Sequence, residues 1–169
     1  FNEVVEYGIL ASQKEPFDPM EKALKDLSRG NESKFIHKSW HLLQEYPLSD
    51  SLMAISHVWS RPGKNEHVVA AKGAPEAIIN LCKLDSISKK KILKEVSLFS
   101  KEGLRVIAVA KAVSRGKLPK EQYEFSFEFV GLIGFEDPIR PTVPQAIQEC
   151  YSAGLRVIMI TGDYHGTAQ

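Results

Sequence analysis

The sequence predicts an α+β fold, an antiparallel sheet flanked by helices, followed by a shorter segment of α/β character. Three observations carry this. An apolar run from Leu52 to Trp59 and a valine- and alanine-rich run from Glu66 to Lys72 flank the turn-forming Arg61-Pro62-Gly63-Lys64-Asn65, the pattern of an antiparallel hairpin. Helical stretches with cap residues at their ends surround that hairpin. Past Asp137-Pro138 the order changes to helix, glycine cap and apolar strand, the grammar of a parallel sheet. A boundary near Glu136 then divides residues 1–136, the α+β unit, from residues 137–169.

The elements follow in order. Val4, Val5, Ile9 and Leu10 predict a short helix within residues 1–12. Asp18, Pro19, Met20 and Glu21 read as N-cap, N1, N2 and N3 of a second helix, with Glu21 reaching back in a capping box, and Gly30 ends it. After the hairpin, Pro75 near the start and Ala77, Ile78, Leu81 and Cys82 on one side predict a helix over Ala74 to Cys82. Ile92, Val96 and Phe99 predict another from Ser86 to Lys101, with Gly103 as its stop. Strands are expected at Leu104 to Val113 and Phe125 to Phe135, joined by a polar surface loop from Arg115 to Gln122. Last come a helix from Pro141 to Ser152, a Gly154 cap and a strand from Leu155 to Ile160. Gly-Leu-Arg-Val-Ile occurs at both Gly103 to Ile107 and Gly154 to Ile158. A glycine cap before a buried strand produces that similarity without an internal repeat.

Composition narrows the function classes. With 22 Lys plus Arg against 21 Asp plus Glu, no general nucleic-acid-binding surface is expected, and any anion site must be local. Apolar stretches such as Leu104 to Ala110 fall far short of the roughly 20 residues that span a bilayer. The acidic first residues do not read as a secretory signal. Cys82 and Cys150 lie on apolar helical faces, where a buried thiol in a reducing compartment is the expected state. His37, His41, His57, His67 and His165 show no metal-ligand spacing.

Three motifs carry chemistry. Lys72-Gly73-Ala74-Pro75-Glu76 joins a strand to a helix and puts a lysine beside a glycine, where a flat ligand can approach the backbone. Asp137-Pro138-Ile139-Arg140 and Thr161-Gly162-Asp163 each follow an apolar strand, where α/β folds place ligands. Taken singly, each is also an ordinary strand-to-helix or strand-to-loop turn.

In order and rough spacing, the three together resemble consecutive signatures of the P-type cation-transporting ATPases, and the resemblance covers nearly the whole chain. It implies an ATP-binding nucleotide-binding domain followed by part of a haloacid-dehalogenase-like phosphorylation domain, on the cytoplasmic face of a membrane. Carried across residue by residue, it implies that Glu21 hydrogen-bonds adenine and Tyr46 stacks on it. Lys72 and Gly73 would line the adenine and ribose pocket, and Arg105 would reach the phosphates. Asp137 and Arg140 match the hinge, and Thr161, Gly162 and Asp163 the loop that contacts the transferring phosphoryl group. The bare sequence also offers structural roles: capping for Glu21 and core packing for Tyr46. An arginine early in an apolar strand, such as Arg105, needs an anion or a route to solvent.

The family's phosphorylated aspartate belongs to an Asp-Lys-Thr-Gly-Thr motif. Neither it nor the later magnesium-binding aspartates occurs here, so this chain alone is expected to form no phosphoenzyme. ATP, magnesium in the full-length protein, and the remaining phosphorylation, actuator and transmembrane domains are the implied partners. Ser51 stands in the stretch where the family usually has a lysine, with Asp50 beside it. The expected isolated affinity is therefore high micromolar or poorer, about −5 to −6 kcal/mol. Tyr164 departs from an asparagine that often follows Thr-Gly-Asp. Absence of a His-Pro dipeptide tilts the resemblance toward the calcium-pump-like branch. The rival readings are a regulatory nucleotide-binding module and a soluble haloacid-dehalogenase-like phosphatase.

Overall fold

A computed structural model describes residues 2–28, 37–136 and 141–160. The chain runs α1 (Asn2–Leu10), α2 (Pro19–Leu27), β1 (His41–Tyr46), β2 (Ala54–Ser60), β3 (Glu66–Gly73), α3 (Pro75–Leu81), α4 (Ser86–Lys101), β4 (Leu104–Arg115), a 3₁₀ turn (Gln122–Glu124), β5 (Glu128–Glu136) and α5 (Val143–Ser152). The strands form one sheet in the order β1-β2-β3-β4-β5, each neighbouring pair antiparallel. The predicted hairpin is its centre: Ala54 pairs with Gly73 and Ser60 with His67. Gly63 takes the positive φ of 71° in the connecting turn, a conformation that glycine adopts without a Cβ penalty.

Alternation along β2 and β3 divides the core between two faces. On one, Val58, Val69, Ala71 and Ala110 pack with Ala77, Ile78 and Leu81 of α3 and with Phe125 and Phe127. Small alanines let the helix lie close to the sheet, and complete burial of Ile78 contributes roughly 1.5–3 kcal/mol. On the other, Trp59, Val68 and Ala70 pack against Leu10 and Ala11 at the end of α1. Lys72 belongs to this second face by parity with Ala70 and Val68.

Several expectations change. His41–Tyr46 is a strand that sequence alone did not indicate. It is an edge strand, five of its six residues are exposed, and a register shift lies between Leu42 and Gln44, so no alternation was there to read. β5 begins at Glu128 rather than Phe125, because Phe125 and Phe127 turn into the core first. The loop after β4 is no loose surface segment at its end. Gln122, 5% exposed, accepts a hydrogen bond from Ser56 Oγ at 2.6 Å and donates to the Ala54 carbonyl at 3.0 Å. α2 ends at Leu27 with Ser28 as its C-cap; Gly30 lies outside the described residues.

α5 forms as expected, and Gly154 follows it at a φ of 73°. Residues 155–160 are not a strand, however, and Leu155, Ile158 and Ile160 are exposed. A strand exists only against a hydrogen-bonded neighbour, and none of the five sheet strands pairs with this segment. The cysteines are free and partly buried; burial pushes the Cys82 thiol up to about 11.

Candidate nucleotide-binding cleft

A cleft of about 710 Å³ opens at the end of the sheet where β2 and β4 begin and β3 ends. Its floor is Ile55, Lys72, Gly73 and Arg105, and α2 with the connection before it forms one wall. The local sequence sets that wall. Asp18 Oδ1 accepts from the backbone N–H of Met20 at 2.9 Å and of Glu21 at 3.2 Å, and Pro19 presets the first helical φ. The first turn of α2 is thereby held with Glu21 facing the sheet.

Glu21 does not close the expected capping box. Its carboxylate accepts from the Gln13 backbone N–H at 3.3 Å and forms an ion pair with Lys72. A nearly buried ammonium needs an acceptor more than an exposed helix-end N–H does, because the latter keeps water as a partner. Lys72 Nζ also donates to Ser12 Oγ at 2.6 Å, and Ser12 Oγ donates to the Gly8 carbonyl at 2.8 Å. Burial lowers the Lys72 pKa, while its bond to Glu21 and the charges of Glu21 and Asp18 oppose that shift. The result is a hydrogen-bonded chain that ties α1, β3 and α2 together beneath the cleft.

Beside Lys72, Gly73 is required by contact. A Cβ there would stand 2.3 Å from the Met53 carbonyl oxygen and 2.7 Å from Ala54 Cα. Arg105 is exposed at the cleft and has no hydrogen bond or ion pair among the described residues, so its guanidinium is available to an anion. This is the route to solvent that an arginine at the start of a strand requires.

Tyr46 sits elsewhere. It is 5% exposed, donates its hydroxyl to the Pro119 carbonyl at 2.6 Å and packs edge-on to Phe125. In this arrangement its ring belongs to the α3 face of the core and is not available for stacking on a base. Asp137, Arg140, Thr161, Gly162 and Asp163 lie outside the described residues. The cleft also contains residues that sequence reasoning passed over: Gln13, Phe17, Leu48 and Met53. Phe17, Leu48 and Met53 are 89%, 55% and 56% exposed, and exposed apolar side chains at a concave surface were their available signal.

His57 supports the same region from below. Its Nδ1–H donates to the Leu10 carbonyl at 3.0 Å, which also accepts from Trp59 Nε1 at 2.8 Å. Nε2 is buried without a hydrogen-bond partner, 3.8 Å from the Glu45 carboxylate. Desolvation lowers the His57 pKa; Glu45, the Leu10 carbonyl and Glu21 oppose this, and Lys72 adds to it. Between the folded value and the unfolded value near 6.5, the unfolded chain binds more protons. Stability should therefore fall as pH drops below about 6.5 and level off below the folded pKa. Urea unfolding at pH 7.5 and 5.5 is expected to show this loss, and His57→Asn to flatten it.

Residues 13–142 match the family described as P-type ATPase, cytoplasmic domain N. The chain belongs to that family. Its N-domain sequence is 33% identical over 138 residues to the sodium/potassium exporting P-type ATPase cta3 of Schizosaccharomyces pombe, covering 75% of this chain and 13% of the relative. It is 31% identical over 166 residues to a calcium-transporting ATPase of Bacillus subtilis, covering 90% of this chain and 18% of the relative. It is 28% identical over 137 residues to the mouse polyamine-transporting ATPase 13A3, covering 75% and 11%. The chain thus spans less than a fifth of each of these relatives. Their names give three different cargoes, so the N domain singles out no one ion. They also lend no support to a soluble phosphatase or a regulatory module. The five-stranded antiparallel sheet with flanking helices is consistent with an N domain. No helix among the described residues is long and apolar enough to cross a membrane. No group of three or more His, Cys, Asp or Glu is placed to hold a metal ion among them.

Proposed function

We propose that this P-type ATPase N domain binds ATP in the cleft, with the adenine against Glu21, Lys72 and Gly73 and the phosphates toward Arg105. The observation that supports this best is convergence: residues from α2, β3 and β4 line one concave surface that is apolar on its walls and carries a few polar groups. In that reading the unit presents the terminal phosphate to an aspartate on the phosphorylation domain of a cation-transporting parent. Catalysis there comes from positioning and charge neutralisation. Magnesium accompanying the triphosphate would supply part of that neutralisation. By the family resemblance, residues 137–169 would belong to the return into the phosphorylation domain, with Asp137 and Arg140 assigned to the hinge and Thr161, Gly162 and Asp163 to contact with the phosphoryl group. The cytoplasmic side of a membrane is the corresponding location, with the actuator and transmembrane domains as partners.

Leu48 and Met53 supply apolar area to the adenine that Tyr46 does not. Because Ser51 adds no positive charge, Arg105 carries the phosphate attraction. Arg105→Ala is expected to weaken ATP binding roughly fivefold, about 1 kcal/mol, with little change in adenosine binding and a smaller effect at high salt. Isothermal titration of the chain with ATP and GTP tests the reading itself. It predicts saturable ATP binding in the high micromolar range or weaker. No binding at millimolar nucleotide, or equal binding of GTP, would overturn it.

A further inference from the structure

We infer that the solvent face of α4 is a docking surface for an acidic amphipathic helix of a partner protein. A turn of about 100° per residue places Ile87, Lys90, Lys91, Lys94, Leu98 and Lys101 within one stripe roughly 100° wide, and all six are exposed. Ile87 and Leu98 are 82% and 51% exposed. The side chains that fasten the helix lie on its other side, where Ile92 and Val96 are buried in the core. Val96 and Ser100 also border the nucleotide cleft, so the stripe faces away from that cleft and its use does not depend on ATP binding.

Helix stability does not account for this pattern. The 16 residues of α4 carry five lysines and one glutamate, in a chain whose net charge is only +1. No acidic residue stands in the first turn, although a negative charge there would complement the helix dipole. Lys90 and Lys94 stand at i and i+4, and Lys91 and Lys94 at i and i+3, spacings at which like charges repel. Lys89, off the stripe, reaches Asn80 Oδ1 at 3.5 Å. The ammonium groups of Lys90, Lys91, Lys94 and Lys101 have no hydrogen bond or ion pair among the described residues, and Glu95 at the edge of the stripe pairs with none of them.

The composition of the stripe sets the chemistry of the partner. Its unpaired cations call for carboxylates. Ile87 and Leu98, about three turns or roughly 16 Å apart along the axis, call for apolar side chains at matching spacing. An acidic helix with an apolar seam offers both. A second copy docked through the same face would set lysines against lysines. Two apolar side chains give too little area to hold a bilayer, and none of the six residues is aromatic, as stacking on RNA bases requires. One helix face is a small contact, so the expected affinity is roughly 10–100 μM.

Fluorescence anisotropy with a labelled synthetic helix is the test. The probe is a peptide of about 18 residues with leucines at i, i+4, i+7 and i+11 and glutamates beside them, compared with the same peptide carrying glutamine for glutamate. Saturable binding of the acidic peptide is expected, at least about tenfold tighter than that of the glutamine peptide and weakening as salt rises. Lys90→Gln, Lys91→Gln and Lys94→Gln combined should lower that affinity about tenfold, and Ile87→Ser with Leu98→Ser about fivefold. Because these side chains are exposed, both variants should keep the wild-type thermal midpoint within about 2 °C, so that unfolding cannot mimic the loss. Equal binding of the two peptides, or an affinity for the acidic peptide that neither variant alters, overturns the docking role. So does tighter binding to phosphatidylserine vesicles or to poly-uridylate RNA than to the acidic peptide.

Discussion

Lys72→Met is expected to lower folding stability by about 3 kcal/mol and to remove ATP binding together. The change leaves the Glu21 carboxylate facing an apolar side chain in a position where the pair is only 11% and 13% exposed. Removing one partner of a buried ion pair typically costs about 3–5 kcal/mol, because the other charge loses its compensation. Glu21 borders the cleft, so water can partly replace the ammonium, and the lower end of that range applies. Ser12 also loses a donor, which loosens the end of α1. The double variant Glu21→Gln with Lys72→Met separates the two effects. It removes both charges and should recover most of the lost stability, while ATP affinity stays low. Chemical denaturation and calorimetry on the three proteins measure both quantities; recovery of binding along with stability would show that the pair is only structural.

Gly73→Ala is expected to be at least as damaging, and for a reason independent of charge. The added methyl meets one peptide unit of the neighbouring chain segment, at Met53 O and Ala54 Cα, and neither can rotate away as a side-chain tip would. Overpacking of this kind costs about 1–3 kcal/mol, and more where backbone must shift. About 3 kcal/mol or above is the expectation here. Relief requires β2 to move away from β3 at the Ala54–Gly73 pair, carrying Met53 and Ile55 with it. Weakened ATP binding should therefore accompany the lower thermal midpoint, and persist at temperatures where the variant is fully folded. A stable variant with unaltered affinity would contradict the close approach of these two strands.

The parts of this architecture visible in the sequence were those with local causes. Asp18-Pro19 announces a helix start by cap chemistry, and Gly63 announces the hairpin turn. The 3.6-residue spacing of Ile92 and Val96 fixes which side of α4 is buried. Elements that depend on distant partners were not legible. β1 is a strand because β2 lies beside it, and Gln122 is buried because it satisfies Ser56 and the Ala54 carbonyl, more than sixty residues earlier.

The cleft shows the same division. Lys72 and Gly73 lie in a motif that resembles the family, Glu21 and Arg105 are implied by that resemblance, and all four line the cleft. That Glu21 would bond Lys72 rather than its own helix end depends on β3 and α2 meeting, which no local pattern encodes. Tyr46 stands where the family resemblance puts a ring that stacks on adenine. The fold instead turns its ring toward Phe125, while Leu48, two residues on, enters the cleft. A two-residue offset keeps a strand side chain on its own face, but β1 ends at Tyr46 and the connection beyond it escapes that rule.

The most direct test of the account is an amide NMR titration of the chain with ATP and, in parallel, with GTP. The predicted result is saturable, ATP-preferring perturbation at Gln13, Phe17, Glu21, Lys72, Gly73 and Arg105, fitted by one weak dissociation constant. Perturbations confined to other surfaces, or none up to millimolar ATP, would contradict the assignment of this cleft as the nucleotide site.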